Sequence, residues 1–187
     1  MTYLGLDLGT SSAKAALIDA EGAVIASRSA PLAVSRPAPG WSEQAPQDWI
    51  AACWAALDAL AADHGAEMAA VEGIGLSGQM HGATFLGVDD RPLRPAILWN
   101  DGRAMRECEE LDAALPDLGM RAGVATMPGM TAPKLIWLRK HEPELFAKIK
   151  TILLPKDSPI QSIADLKGKR VAFNKGSNVH YLLVRAL

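Results

Sequence analysis

The sequence predicts an α/β protein, a mixed sheet covered by helices, and three observations lead there. The first thirty residues hold three short apolar stretches separated by tight turns. From Pro46 the apolar residues change to helical spacing. Beyond residue 70, strand-like and helix-like stretches alternate.

The first strand is Tyr3 to Gly9 (Tyr-Leu-Gly-Leu-Asp-Leu-Gly), where an apolar alternation stops at a glycine. Ala13 to Asp19 resumes as a second strand. Glu21-Gly22 supplies a turn, and Ala23 to Ser29 makes a third. Three strands on short turns predict an antiparallel meander. Pro31 to Gly40 is rich in Pro and Gly and reads as loop. Trp49, Ile50, Cys53, Trp54, Leu57 and Leu60 then fall on one helical face, with Pro46 suited to the first helical position and Gly65 ending the helix. Val71 to Leu76, Ala83 to Val88 and Pro95 to Trp99 read as strands, with Asp89-Asp90 as a turn. A helix fits Arg103 to Leu115, stopped by Pro116. A longer one fits Ala132 to Lys150, broken at Pro143, and Thr151 to Leu154 is a buried-type strand.

After Asp157 the texture changes. Gln161 to Leu166 reads as a short helix, Arg170 to Asn174 as a strand, and Ser177 to Leu187 as a helix. Val179, Leu182, Leu183 and Leu187 form an apolar stripe along that last helix, suited to covering sheet or helix surface or to self-association.

Composition narrows the function classes. Of 187 residues, 49% are apolar and 21% charged, the balance of a folded core rather than a disordered tail. A net charge of −2 gives no strong pull toward nucleic acid or membrane surfaces. No apolar run reaches the roughly 20 residues of a membrane span, and no basic start precedes an apolar stretch. Cys53 and Cys108 lack metal-type spacing and read as reduced thiols. The expectation is a cytoplasmic protein without nucleic-acid or membrane partners.

Four segments carry groups that could do chemistry. In Asp7-Leu-Gly9-Thr10-Ser11-Ser12, with Lys14 beyond, a carboxylate at a strand end precedes a glycine and three hydroxyls in a turn. Backbone N–H groups of such a turn can hold phosphate oxygens while the carboxylate holds Mg²⁺ directly or through water. A plain hairpin whose Asp and Ser satisfy the turn has the same pattern. Gly78-Gln79-Met80-His81-Gly82 follows a strand; its glycines permit close backbone approach, and Gln79 and His81 offer groups suited to sugar hydroxyls, or to an ordinary loop. Trp99-Asn100-Asp101-Gly102-Arg103 combines aromatic, amide, carboxylate and guanidinium as polyol sites do, and as surface turns also do. In Gly129 to His141, Lys134 and Trp137 lie one helical turn apart; a ligand role and a helix with solvated lysines are equally open.

The segments Gly-Leu-Asp-Leu-Gly-Thr-Ser-Ser, Gly-Trp41-Ser42-Glu43-Gln44, Leu-Ser-Gly-Gln-Met-His-Gly, Ile-Leu-Trp-Asn-Asp-Gly-Arg and Pro-Lys-Leu-Ile-Trp-Leu-Arg-Lys-His-Glu-Pro-Glu occur in this order. Together, from Met1 to about Asp157, they resemble the N-terminal domain of the FGGY carbohydrate kinases, and within that family the Gln-Met-His segment resembles the xylulose kinases. The resemblance implies a ribonuclease-H-like sheet of the actin and hexokinase superfamily. It implies ATP and Mg²⁺ as cofactors and D-xylulose as substrate, with glycerol, ribulose or gluconate as alternative substrates. By it, Gln79, Met80, His81, Trp99, Asn100 and Asp101 face the sugar. Gly9, Thr10, Ser11, Ser12 and Lys14 face the nucleotide phosphates, and Asp7 the metal. The family's catalytic aspartate and second domain lie beyond the matching stretch, so the chain is expected to be an N-terminal portion inactive alone, with a homodimer or self-association open.

Pro155 to Leu187 instead resembles an internal stretch of periplasmic aliphatic-sulfonate-binding proteins, where Gly176-Ser177-Asn178 would open a helix onto an anion. The expected organisation is therefore 1–157 kinase-like and 158–187 foreign, a fusion. The rival function is a fragment of a sulfonate-binding module.

Overall fold

The computed structural model describes residues 1–153 and 170–172. The described residues form two units by their own packing: Met1–Val34 with Ala45–Gln79, and Ser35–Gln44 with the described residues from Met80 onward.

In the first unit, β1 (Thr2–Leu8), β2 (Ser12–Asp19) and β3 (Val24–Pro31) form the expected antiparallel meander. A further strand, β5 (Val71–Gly78), adds parallel to β1, giving the order β3-β2-β1-β5. Strand alternation decides which side chains meet the helix. Leu4 lies opposite Leu17, Leu6 opposite Ala15 and Leu8 opposite Ala13, all on one face. There α1 (Pro46–Asp63) packs, with Pro46 in its first turn as expected.

The buried face of α1 takes in part of the predicted apolar stripe, with Leu60 buried and Trp49, Cys53 and Leu57 packed against the core, but not all of it. Ala52, Ala56 and Leu60 are buried, whereas Ile50 and Trp54 are each 61% exposed. The reason lies in the sheet, which presents Ala13 and Ala15 to the helix; small residues on both sides let the two layers approach closely, and bulky ones are displaced to the flanks. A short helix absent from the sequence reading, α2 (Gly65–Ala69), follows where the glycine was expected only to stop α1. Ile74 and Leu76 share the face of Leu4 and Leu6 by register, yet are 65% and 78% exposed, because α1 lies over β2 and β3.

Among the described residues, the second unit has two small sheets. One pairs β4 (Glu43–Gln44) with β7 (Ala96–Ile97), and the other runs β6 (Thr84–Leu86), β8 (Thr151–Leu153), β9 (Arg170–Ala172). The strands of this unit are two or three residues long and split between these pairings. Around them lie α3 (Met105–Ala114), α4 (Leu118–Ala122), α5 (Thr131–His141) and α6 (Pro143–Lys148). The break at Pro143 occurs where a residue without an N–H cannot continue the helix. The core gathers Ala83, Phe85, Ile97, Ala104, Leu135, Trp137, Leu138 and Ile149. The helices expected over 161–166 and 177–187 lie outside the described residues, as does the end of the strand expected over 170–174. Among the described residues no helix is long and apolar enough to cross a membrane.

Candidate functional site

The β1–β2 turn is built by its own backbone. Gly9 N–H donates to the Ser12 carbonyl at 3.0 Å, and a Cβ at Gly9 would stand 3.1 Å from that oxygen, so glycine closes the turn without crowding. Leu32 N–H donates to the Ser11 carbonyl and ties the turn to the end of β3. Asp7 and Lys14 are direct cross-strand neighbours on the sheet face away from α1, both exposed. Opposite charges are thus presented side by side at the mouth of a hydroxyl-rich turn. Gln79 joins this group. Its N–H donates to the Leu8 carbonyl at 2.8 Å, and its Oε1 accepts from Thr10 Oγ1 at 3.3 Å. Expected among the sugar-facing residues, Gln79 is held against the phosphate-type turn.

In the second unit, His81 stands in the left-handed region at φ 58°, uncommon for a residue with a Cβ. Its carbonyl accepts from Lys134 Nζ at 2.6 Å, and the same Nζ donates to the Gly129 carbonyl. Lys134 is 0% exposed, so the solvated lysine left open by the sequence is excluded. Burial pushes its pKa down from 10.5 to about 7, Arg103 adding to the effect and Asp101 opposing it. Between those two values the folded chain binds fewer protons at Lys134 than the unfolded chain, so stability rises with pH across that window. Relative to Lys134→Met, the native chain should gain on the order of 2 kcal/mol of unfolding free energy from pH 7 to pH 9. Urea unfolding of both at the two pH values measures it, and parallel curves would refute it.

Trp99 and Asn100 are exposed after β7, whereas Asp101 is 1% exposed. The Asp101 carboxylate accepts from Ser42 N–H at 2.6 Å and from Arg103 N–H, Nε and Nη2 at 3.0, 2.8 and 2.7 Å. It faces inward, as a group that shapes the turn. Arg103 also pairs with Glu43 at 2.7 Å, and its guanidinium lies 3.8 Å from the Trp41 ring centroid. Arg94 bridges Glu43 and Glu142, and Trp41 meets Trp137 edge-on at 5.4 Å. The Gly-Trp-Ser-Glu segment is therefore the frame of the Trp99–Arg103 turn.

The sequence-predicted residues divide by unit. Asp7, Gly9, Thr10, Ser11, Ser12, Lys14 and Gln79 surround one turn of the first. Met80, His81, Trp99, Asn100 and Asp101 lie on two loops of the second. Sequence reasoning missed the roles of Lys134, Arg103, Glu43 and Trp41. Asp101 two residues before Arg103 was a local signal; burial of Lys134 had none.

Residues 2–172 match the N-terminal domain of the FGGY family of carbohydrate kinases. The chain belongs to this family. It is 50% identical over 155 residues to a xylulose kinase of Escherichia coli strain K12, covering 83% of this chain and 32% of that protein. Among solved structures it resembles a "xyloylose kinase" from Brucella ovis, at 54% identity and TM-score 0.80 over 82% of this chain and 32% of the other. It also resembles the xylulose kinase from Rhodospirillum rubrum, at 32% identity and TM-score 0.77 over 81% and 32%. This FGGY chain thus spans about a third of the length of the curated relatives it matches. The antiparallel meander extended by a parallel strand is the mixed sheet that the resemblance implied.

Proposed function

We propose that this FGGY domain is the N-terminal part of a xylulokinase, whose reaction transfers the terminal phosphoryl group of ATP to D-xylulose, giving ADP and D-xylulose 5-phosphate. The observation that carries the reading is the similarity, at 50% and 54% identity, to proteins described as xylulose and xyloylose kinases. The exposed side chains of Met80, Trp99 and Asn100, with half-buried His81, take the sugar, while buried Asp101 positions their turn. Gly9, Thr10, Ser11, Ser12 and Lys14 take the nucleotide phosphates, with Gln79 bracing Thr10.

The residues present suit that nucleotide and a magnesium ion. A carboxylate and three hydroxyls are hard oxygen donors, and the ammonium of Lys14 stands across from the carboxylate of Asp7. Asp7 would hold the metal, which when bound neutralises charge on the phosphates. The base that takes the sugar hydroxyl proton is none of these residues. A cytosolic setting accompanies the reading, with Cys53 and Cys108 as free thiols.

The proposal includes an organisation of 1–157 as kinase and 158–187 as a segment like a sulfonate-binding protein. The 155-residue span of the Escherichia coli alignment supports that boundary; the family match to residue 172 weighs against it. Sequencing the genomic DNA across codons 150–190 decides, because an uninterrupted kinase frame there would overturn the fusion.

Ligand-observed NMR with D-xylulose tests the sugar assignment. The chain should bind in the millimolar range, about −4 kcal/mol, since the loops offer few desolvated contacts. His81→Ala should weaken binding at least fivefold. Equal binding by the variant would remove His81 from the site.

A further inference from the structure

Lys134 enters the second unit from the first turn of α5 and has no exposed surface. A buried amine must find acceptors, and Nζ finds two, the carbonyls of His81 and Gly129. A neutral amine has two N–H groups, one for each.

Each carbonyl belongs to a segment that needs a tether. His81 is held at φ 58°, a conformation its side chain disfavours and which persists only when the surroundings impose it. Gly129 lies so close to the neighbouring loop that a Cβ there would stand 2.0 Å from the Trp99 carbonyl oxygen. Holding the Gly129 carbonyl therefore also fixes the backbone of Trp99, one residue before Asn100. Asp101 and Arg103 are the charged groups acting on Lys134 from that turn, and they are locked to each other and to Ser42.

We propose that Lys134 is a positioning residue that clamps the Met80–His81 loop and the Trp99–Asn100 loop in one arrangement, so that their side chains meet the sugar together. The proposal rests on the reading above that these loops face the sugar.

The test uses the full 187-residue chain, isotopically labelled, as native protein and as Lys134→Met, which keeps the stem and removes the N–H groups. In the native chain the Gly129 carbonyl shift should move with pH around a midpoint near 7, as Nζ loses a proton. Gly129 is the diagnostic carbonyl because it has no side chain of its own beside it. In Lys134→Met that movement should vanish, the backbone signals of residues 80–82 and 99–100 should shift, and the D-xylulose dissociation constant should rise at least fivefold. A Gly129 carbonyl shift that is the same in Lys134→Met and in the native chain overturns the proposal, and Lys134→Leu serves if the methionine variant fails to fold. So does a variant whose two loops are unmoved, or whose affinity is intact while His81→Ala has lost it. If both variants keep native affinity, the sugar assignment of the loops has failed, and the positioning role falls with it.

Discussion

Expressed alone, the 187-residue polypeptide should release no ADP above background from ATP, Mg²⁺ and D-xylulose. Phosphoryl transfer leaves little covalent work to a protein; its rate comes from placing two substrates in line and neutralising the charge that develops. The described residues supply the turn proposed for the phosphates in one unit and the loops proposed for the sugar in the other, but no group proposed as the base. The chain spans only 32% of the xylulose kinase of Escherichia coli that it resembles. Kinases commonly turn over at about 1–100 s⁻¹, and the isolated polypeptide should fall at least a thousandfold below that range. A coupled ADP-release assay reads the result directly. Turnover within about tenfold of the kinase range would show that this third of the length suffices, and would sink the expectation.

The second large effect is on stability. Arg103→Met should lower the unfolding free energy by about 3–5 kcal/mol, because buried Asp101 loses the guanidinium that compensates its charge, although Glu43 keeps Arg94 and Asp101 keeps its backbone donors. The side chains of Arg103 and Asp101 are 1% and 0% exposed, and Glu43 is 9% exposed. The substitution keeps an unbranched stem over Trp41 while deleting the guanidinium that Asp101 and Glu43 share. Arg28→Ala supplies the contrast. Its partner Asp63 is 53% exposed, so solvent and counterions already screen the pair, and the loss should stay within about 1 kcal/mol. Urea midpoints at constant m-value compare the two. An Arg103→Met cost no larger than that of Arg28→Ala would mean that the buried network contributes nothing to holding the turn.

Local signals explain why much of the first unit was legible. The meander follows from apolar alternation punctuated by Gly9 and Gly22, and α1 from Pro46 and a change of period. What failed depended on partners distant in sequence. Ile50 and Trp54 form a convincing apolar face until one knows that the sheet opposite is floored by Ala13 and Ala15. The pairing of Glu43–Gln44 with Ala96–Ile97 spans two residues, too short for any pattern to announce. The turn from Gly9 to Ser12 could be read as a turn because its residues are contiguous. Gln79 could not be assigned to that turn, since its bond to Thr10 crosses 69 positions. Lys134 was the hardest, because nothing in a sequence distinguishes a lysine that reaches water from one that reaches two carbonyls.

The backbone of His81 restricts what could replace it. At φ 58° a β-branched side chain collides with its own peptide, while Asn, Asp and Gly adopt the region with little cost. A saturation library at position 81 therefore samples a much smaller alphabet than its codons encode: Val, Ile and Thr variants should be lost to misfolding before any sugar is offered. If the proposed sugar loops hold, efforts to redirect the choice of sugar gain more from Met80, whose side chain is 51% exposed and which is not among the residues with left-handed backbone. Changes at 81 itself are best begun from Asn, which keeps both the turn and a hydrogen-bonding tip.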